Sequence, residues 1–183
     1  MGTRNLTMVY LNGEYKVAQY GQWDGYPEAT GCLILNFLTG VKLDYFKKAI
    51  EKVKEYTPEE LTKIKSIIAM NVLPNWEHFH PSLDRDKGCK ILSDITFNGV
   101  QEVKKDVDFA GDSLFCEWAY VIDLDHNTFE IYKGFNKEKL TEKDRFYFLM
   151  KDGTEYYPVK LVASYNLDNL PPEDVFLKDF EEK

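Results

Sequence analysis

The chain has 183 residues, of which 44% are hydrophobic and 30% charged, a composition that suits a folded globular protein and excludes a wholly disordered one. That length fits one domain, residues 1–183, with a core large enough to fold without a disulfide or metal staple. The 23 basic and 31 acidic residues leave a net charge of −8. This argues against non-specific nucleic-acid binding and against docking on an anionic membrane, because phosphate contacts need clustered Lys and Arg.

In chain order, Leu6–Leu11 and Glu14–Tyr20 flank Asn12-Gly13. Asn-Gly between β-rich runs predicts a hairpin with a type I′ turn, which needs positive φ at both central residues. Gly21–Tyr26 reads as a loop, and Pro27 opens a helix to about Leu38 that Gly40 ends. Over Val41–Tyr56, Leu43, Phe46, Ile50 and Val53 recur at helical spacing. Thr57-Pro58-Glu59-Glu60 has the form of a capping box with Pro at the first position, opening a helix striped by Leu61, Ile64, Ile68 and Val72 that Pro74 closes. A short helix is predicted near Lys87–Phe97, stopped by Asn98-Gly99.

The second half is strand-like. Leu114–Leu124 and Thr128–Phe135 are joined by Asp125-His126-Asn127, and Arg145–Met150 and Thr154–Tyr165 by Lys151-Asp152-Gly153. An acidic tail, residues 168–183, carries Val175, Phe176 and Phe180 as a docking helix. Helices segregated from hairpins imply an α+β fold. The simplest closure is an antiparallel sheet of about six strands, built from three hairpins, with three or four helices inserted after the first.

Cys32, Cys89 and Cys116 are odd in number and widely spaced, which reads as three buried free thiols in a reducing cytoplasm. Arg4 leads into a strand-like run, so no secretory leader is expected, and no apolar run is long enough to span a bilayer. Loss of Met1 before the small Gly2 is expected, but Leu6 stands where a myristoylation motif wants Ser or Thr.

The familiar phosphate-loop, dinucleotide, zinc-helix and Cys-x-x-Cys motifs are missing. The densest polar and aromatic segment is Gln19–Pro27. Trp23 and Tyr26 offer stacking area, Gln19 and Gln22 offer donors and acceptors, and Asp24 lies among glycines that let a ligand approach. Arg4 lies on the paired strand near this loop. Together these six residues form a candidate ligand or partner site, with a nucleotide base against Trp23 or Tyr26 and a phosphate near the Ala29–Gly31 amides. The opposing expectation is a packed corner with Trp23 in the core and Asp24 capping the helix.

Other candidates are weaker. His78 and His80 have strand spacing for two metal ligands, but no third ligand is identifiable, so no metal and no cofactor is expected. Glu117 and Asp123 are too far apart along a strand for a carboxylate pair, and either can meet Arg4 as an ion pair. Thr3 before a strand and hairpin suggests an N-terminal nucleophile, but such chemistry needs a free amine at that residue.

The opening Met1–Leu6, followed by Ala18-Gln19-Tyr20-Gly21-Gln22-Trp23-Asp24-Gly25-Tyr26-Pro27, resembles a family of uncharacterised proteins encoded by bacteriophages and, in diverged form, by fungi. The Glu117–Asp125 run, Tyr132, Gly134 and Tyr157-Pro158-Val159 are also similar, so the resemblance covers most of the chain. The chain departs from the family at Glu28-Ala29-Thr30-Gly31, where relatives often have Ser-Gly-Gln-Gly. The resemblance implies a phage accessory protein that acts by binding. Its targets would be a host antiviral-defence protein or a nucleotide signal. The alternatives are a hydrolase, of the N-terminal-nucleophile type or cleaving a nucleotide signal, and a structural or assembly protein. A homo-oligomer fits any of these, since hairpin-built sheets have edges to cover.

Overall fold

The computed structural model describes residues 2–181. In chain order the elements are β1 (Asn5–Leu11), β2 (Glu14–Gly21), α1 (Cys32–Gly40), α2 (Leu43–Ile50), β3 (Lys54–Glu55), α3 (Pro58–Ala69) and α4 (Trp76–Phe79). They continue with α5 (Ile91–Phe97), β4 (Glu102–Val103), β5 (Trp118–Asp123), β6 (Thr128–Lys133), β7 (Lys160–Asn166) and α6 (Glu173–Lys178). The fold is α+β, with most helices inserted between β2 and β5.

The first hairpin forms as its sequence predicts. Asn12 and Gly13 have φ of 56° and 78°, the left-handed values a type I′ turn requires. Asp125 holds this turn from the neighbouring strand connection, its two carboxylate oxygens each accepting one of the two turn amides at 2.8 Å. The capping box also forms: the Glu60 amide donates to Thr57 Oγ1 at 3.2 Å and the Thr57 amide to the Glu60 carboxylate at 2.8 Å.

The sheet departs from the antiparallel expectation. It has five strands of mixed direction in the order β2-β1-β5-β6-β7, and β1 runs parallel to β5, with Asn5 opposite Trp118 and Tyr10 opposite Asp123. A parallel pair needs a long crossover, and the helical segment after β2 supplies it. Every residue of β5 is buried, which is the pattern of a strand covered on both faces. A separate two-stranded sheet pairs β3 with β4 in parallel.

The third expected hairpin is not formed. Arg145–Met150 contains a 3-10 turn at Tyr147–Leu149, and β7 pairs with β6 after a long irregular connection. The aromatic run has β propensity, but only Phe146 is fully buried there, so the segment packs through one anchor and not through alternating faces. The first helix also differs. Pro27–Gly31 forms a π-helical turn before α1 begins at Cys32.

Two apolar layers flank the sheet. On the helix side, Val9, Val17, Ile34, Leu38, Phe46, Ile50, Ile95, Tyr120 and Phe129 form one cluster. On the other side, Leu6, Met8, Ala119, Val121, Tyr132 and Phe146 form a second beneath the irregular connections. The tail helix α6 docks on the first layer: Phe176 is fully buried with its ring 6.2 Å from that of Phe129, and Phe180 meets Trp118. Val175 faces outward, and the last two residues of the expected tail, 182 and 183, lie outside the described residues. No helix among the described residues is long and apolar enough to cross a membrane.

At the Tyr10 end of the second layer lies a charged hub that the sequence did not disclose. Arg145 donates from Nε to one Glu130 oxygen at 2.8 Å, from a terminal nitrogen to the other at 3.0 Å, and also to Asp123. Asp123 is fully buried and further accepts the Asp125 and His126 amides and His126 Nδ1. Burial pushes its pKa up, but the hydrogen bonds from Arg145 and His126 prevail and hold it below the ordinary carboxylate value.

Candidate functional site

The Gly21–Tyr26 loop hangs from the Asn5 end of β1. Its backbone is fixed from below. Buried Asn5 donates through Nδ2 to the Trp23 carbonyl at 3.1 Å, and buried Tyr120 donates its hydroxyl to the Gly25 carbonyl at 2.8 Å. Burial keeps the Tyr120 phenol protonated and hence a donor at any ordinary pH. The Gly25 amide donates to the Thr3 carbonyl and the Gln22 amide to the Arg85 carbonyl, both at 3.0 Å. A Cβ on Gly25 would lie 2.8 Å from Asn5 Cβ and from the Thr3 carbonyl, so glycine is what lets the loop sit this close.

On this fixed backbone the aromatic side chains point outward. Trp23 is 51% and Tyr26 52% exposed. Trp23 is nonetheless oriented: its indole Nε1 donates to Asp86 at 2.8 Å, and its ring packs against Gly2, where a Cβ would be 2.2 Å from Trp23 Cε3. Trp23 is therefore not a core residue of a packed corner. Asp24 is exposed, with φ of 52°, and it does not cap the following turn. Its carbonyl accepts the Thr30 amide and hydroxyl.

The six candidate residues thus divide. Trp23, Asp24 and Tyr26 share the surface of the loop. Gln22 is half-buried and accepts the Tyr20 hydroxyl at 2.6 Å. Gln19 turns inward, 2% exposed, donating to the Tyr20 and Asp84 carbonyls. Arg4 serves the adjacent segment: its guanidinium lies 4.6 Å from the Phe115 ring centroid and 4.0 Å from Glu117, the ion-pair partner allowed by the sequence. Asp123, the other carboxylate considered for Arg4, takes Arg145 instead.

The expected phosphate site does not survive. The Ala29 and Gly31 amides donate to the Tyr26 carbonyl and the Thr30 amide to the Asp24 carbonyl, so none of the three is available to an anion. Thr3 is buried, and Gly2 before it packs against Trp23. His78 and His80 flank the end of short helix α4 and not a strand, with His80 Nδ1 3.1 Å from the Tyr56 hydroxyl. No group of three potential metal ligands occurs among the described residues.

Sequence reading missed the supports of the loop. Asp86 is 63 positions from Trp23, with Arg85 beside it, and no local pattern marks either. Asn5 and Tyr120 carried a signal, since each is a polar side chain in an otherwise apolar strand that needs a partner when buried. Comparisons with protein-family models, with curated proteins and with solved structures found no match to this chain.

Proposed function

We propose that the protein acts by binding another protein through Trp23 and Tyr26. The observation that carries this reading is the pairing of half-exposed aromatic rings with a backbone fixed by buried Asn5 and Tyr120. Large rings held in place lose little conformational entropy on association, which is why Trp and Tyr dominate binding hot spots. The resemblance to phage proteins favours a host antiviral-defence protein as the partner. The occupied Ala29–Gly31 amides disfavour a nucleotide at this loop.

The test is phage growth on defence-proficient cells expressing the protein, compared with Trp23→Ala and Tyr26→Ala. Native mass spectrometry with cyclic and ADP-ribose-type nucleotides accompanies it. Improved growth that both variants abolish while staying folded supports the reading. A folded double variant as effective as the parent refutes it. A retained nucleotide would replace protein binding by sequestration, and a cleaved one by hydrolysis.

A further inference from the structure

The sheet face opposite the helices opens into a cavity of about 540 Å³, lined in part by Tyr10, Tyr15, Phe146 and Phe148 and by Glu130 and Arg145 of the charged hub. It lies at the Tyr10 end of β1, away from the Trp23 loop at the Asn5 end. Its volume falls in the range of small-molecule sites, about 300–1,000 Å³.

The hydrogen-bonding capacity left over in this cavity sets the polarity of an occupant. Both oxygens of Glu130 are occupied: Oε1 accepts Thr128 and Arg145, and Oε2 accepts Tyr132 and Arg145. Asp123 is occupied in the same way. Asp144 turns Oδ2 back onto the Thr141 amide and hydroxyl and keeps Oδ1 as an acceptor with no partner among the described residues. Arg145 is engaged by these carboxylates, with Tyr10 beneath its guanidinium at 5.1 Å. Lys143 forms no ion pair among the described residues, and His126, donating from Nδ1 to Asp123, keeps Nε2 of its neutral ring as an acceptor for another partner. The rest of the lining is aromatic or aliphatic and includes the buried Leu140 and Val159.

We propose that this cavity binds a small planar aromatic anion. Its ring lies against the tyrosine and phenylalanine walls, its carboxylate or phosphate meets Lys143, and a hydroxyl or amino group on it donates to His126 Nε2. The shared chemistry covers aryl carboxylates and nucleoside monophosphates. This site is independent of the Trp23 loop and stands or falls separately from the protein-binding reading.

The experiment is an amide-resolved NMR titration of the full chain with 4-hydroxybenzoate and with adenosine 5′-monophosphate, using benzyl alcohol as the uncharged control. Binding of either anion should move resonances around His126 and Lys143–Phe148 and leave those of Gly21–Tyr26 in place. Which anion binds identifies the source of the acidic group. Lys143→Ala and Phe148→Ala alter exposed side chains and should each weaken binding about tenfold without changing thermal stability. The proposal is overturned if neither anion binds at millimolar concentration, if benzyl alcohol binds as well as the acids, or if the shifts fall elsewhere.

Discussion

Replacing Arg145 by Met tests whether the hub holds the second layer together. The guanidinium side chain is 16% exposed, and its carboxylate partners Asp123 and Glu130 are 0% and 12% exposed. Methionine keeps most of the aliphatic packing but removes every charged hydrogen bond that Arg145 makes to them. Two carboxylates are then left buried beside each other without a counter-ion. Removing one partner of a buried pair costs about 3–5 kcal/mol, a large share of a domain's typical total of about 5–15 kcal/mol. The sign with pH follows. In the parent, Asp123 has its pKa lowered from 3.8, so its contribution is complete above the unfolded value and is lost as pH falls through the folded value. In Arg145→Met, burial of Asp123 is opposed only by its His126 hydrogen bonds, so its pKa moves up and that variant gains relative stability on acidification from neutral toward pH ~4. Urea denaturation at pH 7 and at pH ~4.5 should therefore show a gap between parent and variant that narrows in acid. Adding Asp123→Asn should recover part of the loss. A loss below about 1 kcal/mol, or a gap independent of pH, would refute the assignment of Arg145 as the counter-ion.

Phe176→Ala removes a fully buried ring packed on Phe129, Tyr165 and Phe180, and should lower stability by about 3–5 kcal/mol in thermal or urea unfolding. Thr57→Ala removes the capping box of α3, which has no fully buried residue. It should cost about 1 kcal/mol locally, seen as faster amide exchange over Pro58–Ala69 with the global midpoint little changed. Gly134→Ala would put a Cβ 2.1 Å from the Cys116 carbonyl and should destabilise by at least about 1–3 kcal/mol in urea unfolding; a neutral result would mean the two segments are not in contact. Thr7→Val replaces a buried hydroxyl that has no partner among the described residues, and should be neutral or stabilising by up to about 1 kcal/mol in the same assay.

The parts of the fold that were legible in the sequence are those whose cause is local. Asn12-Gly13 determines its own turn, and Thr57 and Glu60 satisfy each other's amides across one helical turn. The parallel pairing of β1 with β5 was not legible, because strand direction depends on a crossover and not on either strand's pattern. The unbroken apolar run Trp118–Ile122 of β5 was nonetheless a clue to a strand covered on both faces. The Arg145 hub failed for a related reason. Arg145 precedes an aromatic run that mimics a strand, and its partners are 15 and 22 positions away on other elements. At the candidate site, residue types pointed to the Gly21–Tyr26 loop, but outward or inward placement could not be read from them. Gln19 and Trp23 look equally available in the sequence, yet strand register buries the first and the loop's backbone anchors expose the second.

The two ends of β1 treat buried polarity differently, and the difference bears on where binding occurs. At the hub end every oxygen of Asp123 and Glu130 is hydrogen-bonded. At the loop end Asn5 Oδ1, Thr7 Oγ1 and Gln19 Oε1 are buried without a partner among the described residues. Thr7 pairs directly with Gln19 and Asn5 with Gly21, so these atoms line one stretch of the sheet beneath the loop. Unpartnered buried polar atoms cost stability, about 1–3 kcal/mol each. Two of the three side chains also do necessary work there: the amide nitrogen of Asn5 holds the Trp23 carbonyl, and that of Gln19 holds Tyr20 and the Asp84 segment. The orphan oxygens are the other half of the same amides. Fixing an exposed loop by its backbone requires donors in the layer below, and amide side chains bring an acceptor with every donor. Farther along the same face, where no loop must be held, the paired positions are Val9 and Val17.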